Sequence, residues 1–335
     1  MKQTTKWLDA ALIALGLKQA AWADDVSDFR ETLQAAERGN AQAQNNLGLM
    51  YETGRGVRQD DAEAVRWYRQ AAEQGYAVAQ TNLGVMYDYG QGVRQDDAEA
   101  VKWYRQAAAQ GDARAQFNLG LMYANGRGVL QDDAEAVRWY RQAAEQGYAD
   151  AQFNLSWMYA NGRGVRQDDA EAVKWFRQAA EQGYADAQFN LGWMYANGRG
   201  VRQDDAEAVR WYQQAAEQGL ARAQYNLGVM YDEGRGVRQD DAEAVRWYRQ
   251  AAEQGHAQAQ DNLGEAYEEG LGVHQDYVEA VQWYRKAAEQ GLANAQYNLG
   301  VMYERGRGVR QDDEQAVQWY REAAEQGHLW ALFKI

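Results

Sequence analysis

Apolar and polar positions recur along this chain with a period of 36 residues. The motif G-x-G-V stands at Gly54, Gly90, Gly126, Gly162, Gly198, Gly234, Gly270 and Gly306, with no insertion between any two. In one unit, residues 41–51 predict a first helix, Gly54 to Val57 a loop, and residues 62–74 a second helix closed by Gly75. On the second helix Ala64, Val65, Trp67, Tyr68, Ala71 and Ala72 fall on one side at helical spacing, and Glu63, Arg66, Arg69, Gln70, Glu73 and Gln74 on the other. That polar side, with Glu63/Arg66 and Arg69/Glu73 spaced for ion pairs, reads as a solvated surface.

The punctuation of each unit has a physical reason. Gly54 and Gly75 stand where a helix ends in a left-handed residue, a conformation that costs glycine nothing. Asp60 and Asp61 start the second helix: one of them caps its free N–H groups, and Glu63 is placed to reach back as a capping-box partner. The repeated Asp-Asp pairs therefore read as caps and not as catalytic carboxylates. The Trp67 position returns in every unit as far as Trp319 and reads as core, with Ala43, Gly48, Ala64 and Ala71 letting the helices approach around it.

Such periodicity predicts an all-α solenoid of helix-turn-helix repeats, in which each unit contacts its neighbours and length grows without one central core. Composition narrows the chemistry. Cys is absent, which removes disulfides, thiolate metal sites and cysteine nucleophiles. The net charge of −14 repels phosphate and anionic membrane surfaces, so nucleic acid is not expected as a partner, and a neutral or basic polypeptide is. The start of the chain differs from the rest: Lys2 and Lys6 precede the apolar run from Ala10 to Leu17, and Ala21-Trp22-Ala23 supplies an A-x-A site. Residues 1–23 are expected to be a secretory signal cleaved between Ala23 and Asp24, which makes the mature protein periplasmic or secreted. No later segment offers the ~18 apolar residues of a membrane span, and no stable membrane insertion is expected.

The consensus A-x-A-Q-x-N-L-G-x-M-Y-x-x-G-x-G-V-x-x-D-x-x-x-A-V-x-W-Y-x-x-A-A-x-Q-G resembles the Sel1-like repeat, a relative of the tetratricopeptide repeat. The resemblance spans residues 40–328 as eight repeats, with residues 24–39 as an N-terminal capping helix and 329–335 as a truncated ninth repeat. It implies a right-handed α-α superhelix with a concave inner surface lined by first helices, and the role of an exported adaptor or scaffold, with envelope function or host contact as its setting. A cysteine-rich branch of the family has been credited with binding or hydrolysing β-lactams through a scaffold with a disulfide in each repeat. This chain has no Cys to build that scaffold.

Repeat positions that differ between units are those the stack does not require. The column through Asn45 carries Phe117, Phe153, Phe189 and Tyr225 in the middle units, and the column through Leu49 carries Trp157 and Trp193. These six aromatics are expected to form one exposed apolar strip that binds a protein or peptide. Beside it the invariant asparagines, including Asn118, Asn154, Asn190 and Asn226, are expected to bond the main chain of an extended peptide, as corresponding asparagines do in tetratricopeptide relatives. The competing expectation is that the aromatics pack between repeats and the asparagines bond neighbouring loops. A cell-wall glycan is the alternative ligand, since aromatic strips also stack on sugars, and a β-lactamase-like hydrolase is the third reading. Catalysis finds little in the sequence: Ser27 and Ser156 are the serines, and His256, His274 and His328 are scattered, so no nucleophile, base and orienter meet. No metal and no cofactor is expected.

Overall fold

The computed structural model describes residues 25–335; the expected leader segment lies outside the described residues. Among the described residues every regular element is helical. They fall into two compact units divided after Gln167. In the first, α1 (residues 25–37) precedes the pairs α2 (Ala41–Thr53) with α3 (Asp61–Glu73), α4 (Ala77–Tyr89) with α5 (Asp97–Ala109) and α6 (Ala113–Asn125) with α7 (Asp133–Glu145), and then α8 (Ala149–Asn161). In the second, α9 (Asp169–Glu181) precedes α10 (Ala185–Asn197) with α11 (Asp205–Glu217), α12 (Ala221–Glu233) with α13 (Asp241–Glu253), α14 (Ala257–Glu269) with α15 (Tyr277–Glu289) and α16 (Ala293–Arg305) with α17 (Asp313–Glu325). The short α18 (Leu329–Leu332) follows. The chain is the all-α solenoid that its periodicity predicts.

First helices run two residues further than expected, to residue 53 in α2, because Gly54 closes them with φ 73° and its N–H donates to the Met50 carbonyl. Second helices begin one residue early. Asp60 is the cap: its side chain accepts from the N–H groups of Ala62 and Glu63 at 3.0 and 3.1 Å. The expected capping box is not formed. The Asp60 N–H already donates to the Tyr51 carbonyl at 2.9 Å, so Glu63 pairs with Arg66 at 2.5 Å instead. The expected Arg69/Glu73 pair is also replaced. Arg69 donates to the Tyr87 hydroxyl of the next first helix at 2.6 Å, and Arg105, Arg249 and Arg285 make the same step to Tyr123, Tyr267 and Tyr303. The charged side of the second helix is thus part of the joint between repeats.

Within each unit the cores are small and local. Ala64, Val65 and Tyr68 of α3 pack with Leu83 and Met86 of α4, and the same positions recur further on, as in Val281 and Tyr284 with Leu299 and Met302. Tyrosine forms the deepest aromatic column: Tyr68 packs against Gly48, where a Cβ would come within 2.6 Å of its ring. The tryptophan column is buried at Trp103, Trp175, Trp211 and Trp247 and half-buried at Trp67, Trp139, Trp283 and Trp319. A buried glutamine column adds directional bonds to this apolar packing. Gln80 donates to the Ala72 carbonyl at 3.1 Å, a second bond at a helix end whose carbonyl also accepts from the Gly75 N–H, and accepts from Gln110 at 2.7 Å. Loops also meet backbone closely. Gly128 has φ 65°, and a Cβ on it would sit 2.2 Å from the Asp97 carbonyl oxygen, so this position requires glycine twice over. No helix among the described residues is long and apolar enough to cross a membrane.

Candidate binding site between first helices

Cavities open along the first helices: about 530 Å³ where the capping helix α1 meets α2, and about 150 Å³ both between α6 and α8 and between α12 and α14. All three use the same repeat positions. Asn46, Leu49 and Arg55 line the first, Asn154, Trp157 and Arg163 the second, and Asn262, Glu265 and Leu271 the third. The varying column of Leu49 and the invariant asparagine column therefore face clefts, while the invariant apolar columns fill the core.

The aromatics expected to form one strip divide into two environments. Trp157 in the first unit and Trp193 in the second are exposed, at 45% and 38%, and each has a guanidinium near its ring, Arg163 at 5.9 Å and Arg199 at 5.8 Å. The other column is half-buried, because its helix turns it toward its own partner helix. Phe117 lies 5.9 Å from Tyr140 and 5.2 Å from Tyr148; Phe189 lies 5.8 Å from Tyr212; Tyr225 lies 6.0 Å from Tyr248 and stacks on His256 at 4.7 Å. Phe153 is half-buried in the same column. Phe117, Phe189 and Tyr225 thus pack within their own repeat, which is neither the exposed strip nor the packing between repeats, and of the six aromatics the exposed ones are the two indoles.

The asparagines are also engaged within the stack. Asn82 donates to Asn45 at 2.9 Å, Asn298 to Asp261 at 3.1 Å and Asn190 to the Asp186 carbonyl at 2.7 Å. Asn154 and Asn226 are hydrogen-bonded to the hydroxyls of Tyr140 and Tyr212, and Asn118 is half-buried on α6. A bound main chain would compete with these bonds or share the asparagines' remaining capacity.

The column comparison of the sequence missed a second layer of polar residues. In five repeats a carboxylate at the end of the first helix accepts from the core tyrosine: Tyr68 to Glu52 at 2.5 Å, Tyr104 to Asp88 at 3.2 Å, Tyr248 to Asp232 at 3.1 Å, Tyr284 to Glu268 at 3.0 Å and Tyr320 to Glu304 at 2.9 Å. Burial, reinforced by the carboxylate, pushes these phenols above their ordinary range. Alanine replaces the carboxylate in three middle repeats, at Ala124, Ala160 and Ala196. Phe176 stands in the tyrosine column beside Ala160, and in the other two Tyr140 and Tyr212 are raised to about 12, chiefly by burial. The alternation of Ala with Asp or Glu is legible in the sequence; that a tyrosine from another helix meets it is not.

The seventh repeat departs furthest. Asp261 takes the aromatic position and is buried, which raises its pKa to about 6. Leu271 stands where most repeats carry arginine, and the adjacent cleft is lined by Asp232, Asp241 and Glu265. Two of the histidines have structural work: Nδ1 of His256 and of His328 accepts the N–H of Ala259 and of Ala331, each at 3.3 Å, capping α14 and α18. Among the described residues no three His, Asp or Glu side chains lie close enough to hold a metal ion.

A stack of helix pairs joined by local contacts, with a first-helix face that varies between repeats, defines an α-solenoid of the tetratricopeptide-like kind, a class that generally mediates protein–protein interaction. The Sel1 repeat family model matches residues 41–76, 77–112, 113–148, 149–184, 185–220, 221–256, 257–292 and 293–328, and the chain belongs to that family. It is similar to the crystal structure of c5321, a protective antigen present in uropathogenic Escherichia coli strains displaying an SLR fold. The identity is 43% and the TM-score 0.88, over 90% of this chain and 65% of that one, so this chain spans less than two thirds of that protein. A Sel1 repeat protein from Oxalobacter formigenes is 39% identical with a TM-score of 0.68, over 90% of this chain and 87% of that one. A search of the curated proteins found no match. Sel1 repeat proteins are typically non-catalytic scaffolds.

Proposed function

We propose that this protein is an exported scaffold that binds a neutral or basic polypeptide along its first-helix face. The observation that carries the reading is the exposure of Trp157 and Trp193 at a position where other repeats carry Leu, Val or Glu. Large indoles left in water on an otherwise well-packed scaffold supply the contact area that dominates binding energies. The arginines near both rings add donors at the rim.

The test is capture from the native envelope with purified protein, comparing the wild type with the Trp157→Ala/Trp193→Ala double variant. A polypeptide retained by the wild type and at least thirtyfold weaker on the variant, the ~2 kcal/mol of a hot-spot pair, supports the reading. Retention of peptidoglycan fragments in its place would establish the glycan alternative, and equal capture by both proteins would remove the indoles from the site. Export rests on the order Lys2, Lys6, apolar run and Ala21-Trp22-Ala23. The protein isolated from cells is expected to begin at Asp24, and mass spectrometry showing an intact Met1 would refute it.

A further inference from the structure

We propose that the cleft between α6 and α8 takes a carboxylate of the bound polypeptide, an Asp or Glu side chain or a chain terminus; this rests on the reading of the first-helix face as a polypeptide site. The argument is a comparison of two successive joints in the same compact unit. At the first, Asp88 is held from two sides: the Tyr104 hydroxyl donates to it at 3.2 Å, and Arg127 Nη2 pairs with it while also pairing with Asp97 at 2.7 Å. One guanidinium thus bridges two carboxylates next to a buried phenol.

At the following joint three of those four groups are kept. Tyr140 occupies the place of Tyr104, Arg163 that of Arg127, and Asp133 that of Asp97, with Arg163 Nε 2.8 Å from Asp133. The fourth, the equivalent of Asp88, is Ala124. A cleft of about 150 Å³ at this joint is bordered by Ala124, Tyr140, Asn154, Trp157 and Arg163 and holds no acidic side chain in its lining. That volume is on the order of five water molecules. In the absence of the carboxylate Arg163 Nη2 donates to the Ala124 carbonyl at 2.8 Å, and Tyr140 is bonded to Asn154. Both donors are already aimed by the scaffold, so a ligand carboxylate entering beside Trp157 meets a guanidinium and a phenol that the chain holds in place for an anion. The partner as a whole still has to be neutral or basic, as the surplus of carboxylates on this chain demands. Its carboxylate is one local anchor next to an apolar contact on the indole.

The experiment uses the full chain and two probes that differ by one group, acetyl-Leu-Glu-Leu-amide and acetyl-Leu-Gln-Leu-amide. Binding is read from the indole N–H resonance of Trp157, assigned with Trp157→Phe. The Glu peptide is expected to shift this resonance saturably and to bind at least tenfold tighter than the Gln peptide. Ala124→Asp, which restores the carboxylate of the preceding joint, should abolish the preference without lowering the melting temperature. Tyr140→Phe, a change the chain itself carries at Phe176, should weaken the preference in a folded protein. Equal binding of the two peptides at Trp157 overturns the carboxylate proposal and leaves the polypeptide reading standing. A preference that survives Ala124→Asp overturns it as well, as does a Trp157 resonance moved by neither peptide. The capture experiment with the double variant decides the broader reading independently.

Discussion

Single residues in this chain are best understood against their own columns, because each position has seven internal controls. Asp261 shows how. Its column holds Asn45 in the first repeat, where Asn82 donates to it at 2.9 Å, and Asn298 makes the same approach to Asp261 at 3.1 Å. Geometry is kept while a neutral acceptor becomes a buried acid, and burial raises the Asp261 pKa from 3.8 to about 6. A carboxyl with a raised folded pKa contributes its proton-linked stability below the unfolded value and loses it as pH rises through the folded one. Asp261→Asn should therefore stabilise the protein at pH 8, by about 3 kcal/mol for a shift of this size, and most of the advantage should be gone near pH 4. Thermal midpoints of both proteins at the two pH values check this; an advantage that is the same at pH 4 and pH 8 would mean that ionisation of Asp261 is not its origin.

At the scale of the helix, periodicity separated the two faces of the second helix correctly but not those of the first. A 3.6-residue wheel places the columns of Asn45 and Leu49 together, opposite the invariant core, and so predicts one exposed strip. In the structure Phe117, Phe189 and Tyr225 lean back onto Tyr140, Tyr212 and Tyr248 of their partner helices, and Trp157 and Trp193 remain outside. A wheel has no neighbours, so it cannot tell a position beside the next helix from one beside solvent. The two tryptophan classes should consequently behave differently on heating. Trp175→Ala, in the buried column, is expected to cost ~3–5 kcal/mol, whereas Trp157→Ala with Trp193→Ala should leave the melting temperature nearly unchanged. A double variant that melts as early as the Trp175 variant would show that the exposed indoles support the stack.

For the whole molecule the relevant fact is that stabilising contacts are local and nearly the same at each joint inside a compact unit: a tyrosine against a glycine, a glutamine on a helix C-terminus, an arginine stepping to the next tyrosine. Deleting residues 77–112 joins Tyr76 to Ala113 and substitutes one such joint for another. The shortened protein should fold with unchanged helicity per residue by circular dichroism, whereas removing residues 77–94, half a repeat, should collapse the signal because first helices would then face the wrong partners.

The sequence by itself determined the period, the helix pair, its glycine stops and aspartate caps, and the family, because each of these is a local requirement of backbone conformation or hydrogen bonding repeated eight times. The tertiary structure decided which variable positions face a cleft and which face a neighbouring ring. It also brought Tyr140, Arg163 and Ala124 to one place, although they belong to three different segments of the chain. Burial and charge pairing across helices depend on distance in space, and a one-dimensional pattern carries that distance only where the partners share a helix.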